Sequence, residues 1–320
     1  MHSVKIHPTR LNPDKYHRPS ILMRIQRHWI QYLFLLPAFL AVLFFNYKPM
    51  ADGLLLAFKQ FQFRKTIWEM KFVGFSYFET FFNNPTALSL IKNTLVISLM
   101  KIVLAFPFPI ILAILLNELN HRHFKKAVQT ISYLPHFLSW TIVATIIERM
   151  FAPDTGVVNQ FIHLLGGDGS TFWMMESAFF YPIMFFSYVW KSIGWSSIIF
   201  LAAITGIDPS LYEVARIDGA RKLQEVRYIT LPGILPVIAM VFIMSLSSVL
   251  SAGYDQIYLL RTAGNMDVAD ILDTYIIRMG LEKGKYSYAT AVGLIQSVAG
   301  LLMVLFCNWI SRRISETALW

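Results

Sequence analysis

The sequence predicts an all-α membrane protein: one bundle of six membrane-spanning helices, with a compact helical loop projecting between two of them. Three observations carry that prediction: an apolar composition, six apolar runs of bilayer length, and a bias of basic residues toward alternate loops. Hydrophobic residues make up 56% of the 320, charged residues only 15%, and mean hydropathy is +0.52. Soluble domains carry about 25% charged residues, so this composition asks for lipid as solvent.

A spanning helix needs roughly 20 mostly apolar residues. The first such run is 29–47, ending at Lys48-Pro49. The second, 93–116, is interrupted only by Lys101, and the third, 127–147, is free of charge until Glu148-Arg149. The fourth, 177–205, carries Lys191 in its middle. The fifth, 233–254, stops at Asp255, and the sixth, 286–311, has no charged residue. Pro37, Pro107, Pro109, Pro135, Pro182 and Pro236 fall inside these runs. They do not veto the assignment, because neighbouring helices can satisfy the backbone groups that a proline frees.

Lys and Arg then set orientation. Residues 1–28 carry six, 117–126 three, 206–232 four and 312–320 two, fifteen in all against ten in the alternate loops 48–92, 152–176 and 255–285. Loop 152–176 has none and holds Asp154, Asp168 and Glu176. Both tails, 1–28 and 312–320, are therefore expected in the cytoplasm. The net charge of +9 fits cytoplasmic loops facing anionic lipid. The basic residues are scattered rather than clustered with aromatics, which argues against nucleic acid as a partner. Cys307 is the only cysteine, so neither an internal disulfide nor a thiolate metal site is expected. The first run is too long for the core of a signal peptide. The long loop 48–92 is rich in aromatics, among them Phe58, Phe61, Trp68, Phe75 and Tyr77. Packing at the membrane-water interface accounts for them best; a sugar-stacking platform is the alternative.

The informative segment is 207–232, IDPSLYEVARIDGARKLQEVRYITLP. Asp208 is placed to cap a helix whose first residue is Pro209. Leu211, Val214 and Ala215 recur on one face, and Gly219 can take the left-handed conformation that ends a helix. A second short basic helix is expected at 220–228, after which Leu231-Pro232 turns the chain into the fifth run. The product is a small helical knob, a docking element rather than a catalytic one.

This segment resembles the signature loop of binding-protein-dependent ABC importer permeases: Glu-Ala-Ala, three residues, Gly, nine residues, Ile-x-Leu-Pro. Here those positions are Glu213, Val214, Ala215, Gly219, Ile229, Leu231 and Pro232, with Val214 in place of the first alanine. Further stretches are similar to permeases of oligosaccharide and polysaccharide importers. They are Tyr133-Leu134-Pro135-His136-Phe137, Trp190-Lys191-Ser192-Ile193-Gly194-Trp195, the run 286–293, and the closing Ala318-Leu319-Trp320.

The resemblance implies a six-helix permease fold whose loop 206–232 couples to an ATPase through Leu211, Glu213, Val214, Ala215, Asp218, Gly219, Ala220, Ile229, Leu231 and Pro232. It implies two ATPase subunits, a second and non-identical permease, an extracytoplasmic solute-binding protein, and an oligosaccharide or polysaccharide substrate, with a lean toward an acidic, alginate-like one. No cofactor is expected on this chain; ATP and Mg belong to the ATPase. An ionisable group in mid-span is a functional hypothesis by default. Lys191 is thus the first candidate for the substrate pathway, with Trp190, Trp195 and Tyr188 beside it, although pairing with a carboxylate or a carbonyl within the bundle would equally explain it. Lys101 is read as snorkelling toward an interface.

Two rival classes are weaker. A self-contained secondary transporter predicts ion-binding carboxylates at mid-membrane and often repeated halves, and a membrane enzyme predicts clustered His, Asp or Cys; neither pattern is present. The run 280–286 mimics a phosphate loop but is one residue short and has Tyr286 where Ser or Thr belongs. His121-x-His123 lacks a third ligand at metal spacing.

Overall fold

The computed structural model describes residues 26–246 and 249–314. Two units are distinguished, divided between Leu55 and Leu56. The first holds all but the last residue of the helix α1, Trp29–Leu56, which continues through Pro49 instead of ending there. A π turn at Leu43–Tyr47 allows this, and the Lys48 amide bonds to the Leu43 carbonyl, five residues back.

Among the described residues the regular elements of the second unit are all helices, joined by loops, with a single isolated bridge, Lys59 to Phe72, outside them. Its elements are α2 (Ser76–Phe82), α3 (Ala87–Glu118), α4 (Arg122–Tyr133), α5 (Trp140–Met150), α6 (Val157–Leu164), α7 (Ser177–Thr205), α8 (Pro209–Ile217), α9 (Lys222–Leu246), α10 (Tyr254–Leu260), α11 (Met266–Ala269), α12 (Leu272–Ile277) and α13 (Tyr286–Ile314). Among the described residues five helices, α1, α3, α7, α9 and α13, are long and apolar enough to cross a membrane. The α4–α5 pair makes a sixth if it is counted as one span bent by 100°.

Three expectations need correction. The third run is not a straight helix. Pro135 has no amide to donate, a 3-10 turn occupies Leu134–Phe137, and Leu138 and Ser139 are extended before α5 begins. The second short helix is not a separate element: α9 starts at Lys222, passes through a π turn at Val226–Thr230, and carries Leu231-Pro232 inside it. The fifth run also ends before 254: α9 is described as far as Leu246, residues 249–253 are no longer helical, and Gly253 with φ +87° starts a new direction at α10. The tails and the closing Ala318-Leu319-Trp320 lie mostly or wholly outside the described residues.

Three apolar clusters lie along α3, and two of them include α7. Ile110, Ala113, Phe200, Ile204 and Ile234 form one near the knob. Ile97, Val143, Ile147, Phe180, Met184 and Ile257 form a central one. Phe81, Leu90, Leu272, Tyr275 and Tyr288 form one at the opposite end. Many large apolar residues, such as Ile111, Leu115, Leu301 and Leu302, remain exposed. That is the pattern expected when lipid replaces water and the hydrophobic effect no longer drives helices together.

Polar ties therefore matter more, and most of them end on main-chain carbonyls. Asn93 of α3 donates to Asp267 O and Asp270 O at 2.8 and 3.0 Å. Asn159 reaches the carbonyls of Ala152, Pro153 and Thr171. Gln256 bonds Met184 O at 2.7 Å, and Gln296 bonds Leu250 O at 2.7 Å.

Candidate functional site

The knob between α7 and α9 is built from local chemistry. Asp208 accepts the Ser210 amide at 2.9 Å and Pro209 opens α8. That bond to a backbone amide holds the Asp208 carboxyl below its usual range. Gly219 sits at φ +80°. The Ala220 amide bonds to Ala215 O at 2.9 Å and the Gly219 amide to Arg216 O at 3.1 Å. This is the paired closure of a Schellman motif, which needs a left-handed residue at the position of Gly219.

The knob is then tied to the bundle. Arg216 grips Glu225 through Nε at 3.0 Å and Nη2 at 3.4 Å. Glu225 is buried, and the hydrogen bond between them raises the already high pKa of Arg216. Lys222 bridges Glu225 at 3.4 Å and Glu118, at the end of α3, at 2.9 Å. Tyr212 and Thr230 share a hydrogen bond of 3.0 Å. Of the expected coupling residues, Leu211, Glu213, Val214, Asp218 and Gly219 are exposed, while Ala215 and Ala220 are half-buried. Ile229 and Thr230 belong to the π turn, and Leu231 and Pro232 lie within α9. The exposed apolar stripe on α8 runs Leu211, Val214, Ile217, three residues apart. Ile217, Tyr212, Arg216 and Glu225 were not singled out in the sequence. Ile217 continues the apolar spacing and was legible. The Arg216–Glu225 pair spans nine residues across the glycine turn, a separation that no helical period flags.

The second cluster is a joint. Lys191 donates to Leu138 O at 2.5 Å, His136 O at 2.8 Å and Pro135 O at 3.4 Å, with its ammonium 5.4 Å from the Trp140 ring. An ammonium has three donors, and all three meet carbonyls that the break in α4–α5 releases. Trp195 stacks on His136 at 4.5 Å, with 3° between the planes. A Cβ on Gly194 would stand 2.0 Å from Ser132 O, so only glycine lets α7 touch α4 here. The two sequence stretches 133–137 and 190–195 thus meet face to face. Trp190 faces an apolar groove with Ile146 and Phe186.

Two polar cavities remain. One, of about 320 Å³, is lined by Lys101, Tyr188 and several serines. The other, of about 450 Å³, lies at the end of the bundle away from the knob, among Gln60, Tyr77, Asn84, Tyr275 and Tyr288. There Tyr275 and Tyr288 join their hydroxyls at 3.0 Å, and Ser287 accepts the Phe61 amide at 2.9 Å.

A bundle of apolar helices carrying one rigidly tied, surface-exposed knob defines the permease class of transport subunit. Residues 99–316 match the family described as binding-protein-dependent transport system inner membrane component, and the chain belongs to that family. It is 39% identical over 306 residues to the polygalacturonan/rhamnogalacturonan transport system permease protein YteP of Bacillus subtilis, covering 96% of this chain and 95% of that one. Its fold is similar to a chain in the crystal structure of a bacterial ABC transporter that imports the acidic polysaccharide alginate. The TM-score is 0.86 at 41% identity, over 93% of this chain and all of the other. A second structure of the alginate transporter, in complex with an alginate pentasaccharide-bound periplasmic protein, matches with the same TM-score at 40% identity, over 94% of this chain and all of that one. Membership in this family sets aside the secondary-transporter alternative.

Proposed function

We propose that this chain forms half of the translocation pathway of an ATP-driven importer for an acidic oligosaccharide or polysaccharide, and that the knob 207–232 couples it to a separate ATPase. The observation that carries the coupling role is the knob itself. Its exposed stripe of Leu211, Val214 and Ile217 can be covered by a partner, while Arg216, Lys222 and Glu225 fasten its base to α9 and α3. A push on α8 is then passed to two spanning helices as a rigid-body motion. ATP drives the cycle only if it binds the two states of the assembly with different affinity. Two ATPase subunits, holding ATP and Mg, complete the machine with a second, non-identical permease and an extracytoplasmic binding protein. The subunit lies in the cytoplasmic membrane with the knob and both termini inside.

The acidic cargo is supported by two of these similar proteins: polygalacturonan, rhamnogalacturonan and alginate all contain uronic acids. The test is ATPase activity of the complete reconstituted complex with its binding protein, against a panel of neutral and acidic oligosaccharides. Stimulation by oligogalacturonate or oligoalginate is expected. Stimulation by neutral sugars alone would remove the acidic assignment, and transport by liposomes holding only this chain would remove the importer reading.

A further inference from the structure

Two lysines lie in mid-span, and their surroundings differ. Lys191 has an acceptor for each of its donors. Lys101 does not: among the described residues its one acceptor is Ala252 O, at 2.6 Å, and no carboxylate pairs with it. The face of Tyr188, 4.8 Å from the ammonium, supplies only partial compensation. A cation without its counter-charge at this depth is costly, so its position calls for a reason.

The local backbone is arranged around that ammonium. Lys101 sits on a π turn of α3, Met100–Leu104, a distortion often found at functional sites. Opposite it, Gly253 is at φ +87°, and a Cβ there would fall 2.8 Å from the Lys101 Nζ. The cavity beside it, of about 320 Å³, offers hydroxyls from Ser98, Ser192 and Ser196 and an apolar wall at Phe106. Ser98 is 2% exposed, and its hydroxyl has no hydrogen-bond partner among the described residues. An unmatched cation, an unmatched buried hydroxyl and an apolar wall correspond to the three features of a uronate ring: carboxylate, ring hydroxyls and an apolar face.

We infer that the Lys101 cavity receives one uronate unit of the transported chain, with its carboxylate on the Lys101 ammonium and a sugar hydroxyl on Ser98. The inference rests on the acidic cargo proposed above. Its competitor is plain: Lys101 does no more than staple the turn at 251–253 to α3 through Ala252 O. A contact on the pathway must also release its cargo, and a single cation on a sugar carboxylate, with no bidentate clamp, meets that requirement.

A chemical cycle separates the two readings. The complete complex is assayed with oligogalacturonate and oligoalginate, each as the free carboxylate and as the methyl ester. For a carboxylate contact, Lys101→Met weakens the apparent affinity for the acid by about tenfold or more. The ester response changes less than about twofold, and Ser98→Ala gives a smaller loss with both forms. Equal losses for acid and ester under Lys101→Met would overturn the inference and leave Lys101 a staple. If the wild type does not accept the esters, Lys101→Cys in a Cys307→Ala background decides. The acidic oligosaccharide must slow its modification by a thiol reagent and a neutral trisaccharide must not; no slowing overturns the inference. A wild-type complex that answers to neither acid fails at the earlier step, the acidic cargo, and takes this site with it.

Discussion

Gly219 offers a perturbation whose cost can be worked from geometry. Its φ of +80° belongs to the left-handed region, and no atom lies within 4 Å of where a Cβ would stand. A side chain here therefore meets no steric obstacle in this chain; the cost is in the backbone alone. For alanine that cost is about 1 kcal/mol, or about a fivefold loss of the closed knob, and for a β-branched residue it is larger. Asparagine tolerates the left-handed region better despite its greater volume. Retention of the knob should thus follow Gly219, then Gly219→Asn, Gly219→Ala and Gly219→Val. The assay is recovery of the ATPase on tagged permease from detergent, together with substrate-stimulated ATP hydrolysis. Membrane insertion, measured in parallel, should be unchanged, because no spanning helix is altered. If Gly219→Ala outperforms Gly219→Asn, side-chain volume at a partner surface governs, and the conformational reasoning fails. If Gly219→Val matches the wild type, the closure does not matter.

Ile217→Asp places a charge on the exposed stripe and should weaken ATPase recovery by at least about tenfold, since covering such a side chain contributes about 1.5–3 kcal/mol; unchanged recovery would move the contact elsewhere. Glu225→Ala removes the buried hub of the knob and should lower the melting temperature of the purified complex and uncouple hydrolysis from substrate, whereas Glu118→Ala, which touches only Lys222, should do less. Lys191→Met strands three carbonyls at the bend and should reduce stability and transport alike, for acidic and esterified substrate equally; a selective loss of acid transport would show that Lys191 meets cargo after all. Gly194→Val drives side-chain atoms into the Ser132 backbone and should destabilise by about 1–3 kcal/mol or more, read as loss of folded permease in fluorescence size-exclusion profiles. For orientation, single cysteines at Ser170 and Asn120 in a Cys307→Ala background should differ in intact cells: an impermeant thiol reagent should label Ser170→Cys and leave Asn120→Cys unlabelled.

Much of this was legible because it follows from rules local to a few residues. The helix α7 occupies 177–205, the residues of the fourth apolar run, and the caps of the knob at Asp208, Pro209 and Gly219 can be read from residue type. The illegible parts are those that depend on residues distant in sequence. Pro135 alone is compatible with a straight span, as Pro182 inside α7 demonstrates. The bend at 134–139 depends on donors from Lys191, more than 50 residues away. The π turns leave the hydrophobic pattern of a run almost unchanged, so α9 was cut short at its start. Lys101 and Lys191 look alike in sequence, each a single cation within an apolar run. Only the count of carbonyls around each ammonium tells them apart.

The ties that hold this bundle have an asymmetry with a genetic consequence. Lys191, Asn93, Asn159, Gln256 and Gln296 all donate to main-chain oxygens. Every residue type carries such an oxygen, so a substitution at Leu138 or Leu250 leaves the acceptor in place as long as the backbone holds its course. A substitution at the donor removes the tie outright. In a saturation scan, then, tolerance should be one-sided: the donors intolerant, their acceptor positions permissive toward side chains of similar bulk. Suppressors of a donor mutation should seldom arise at the acceptor, because no change of side chain there can restore what was lost.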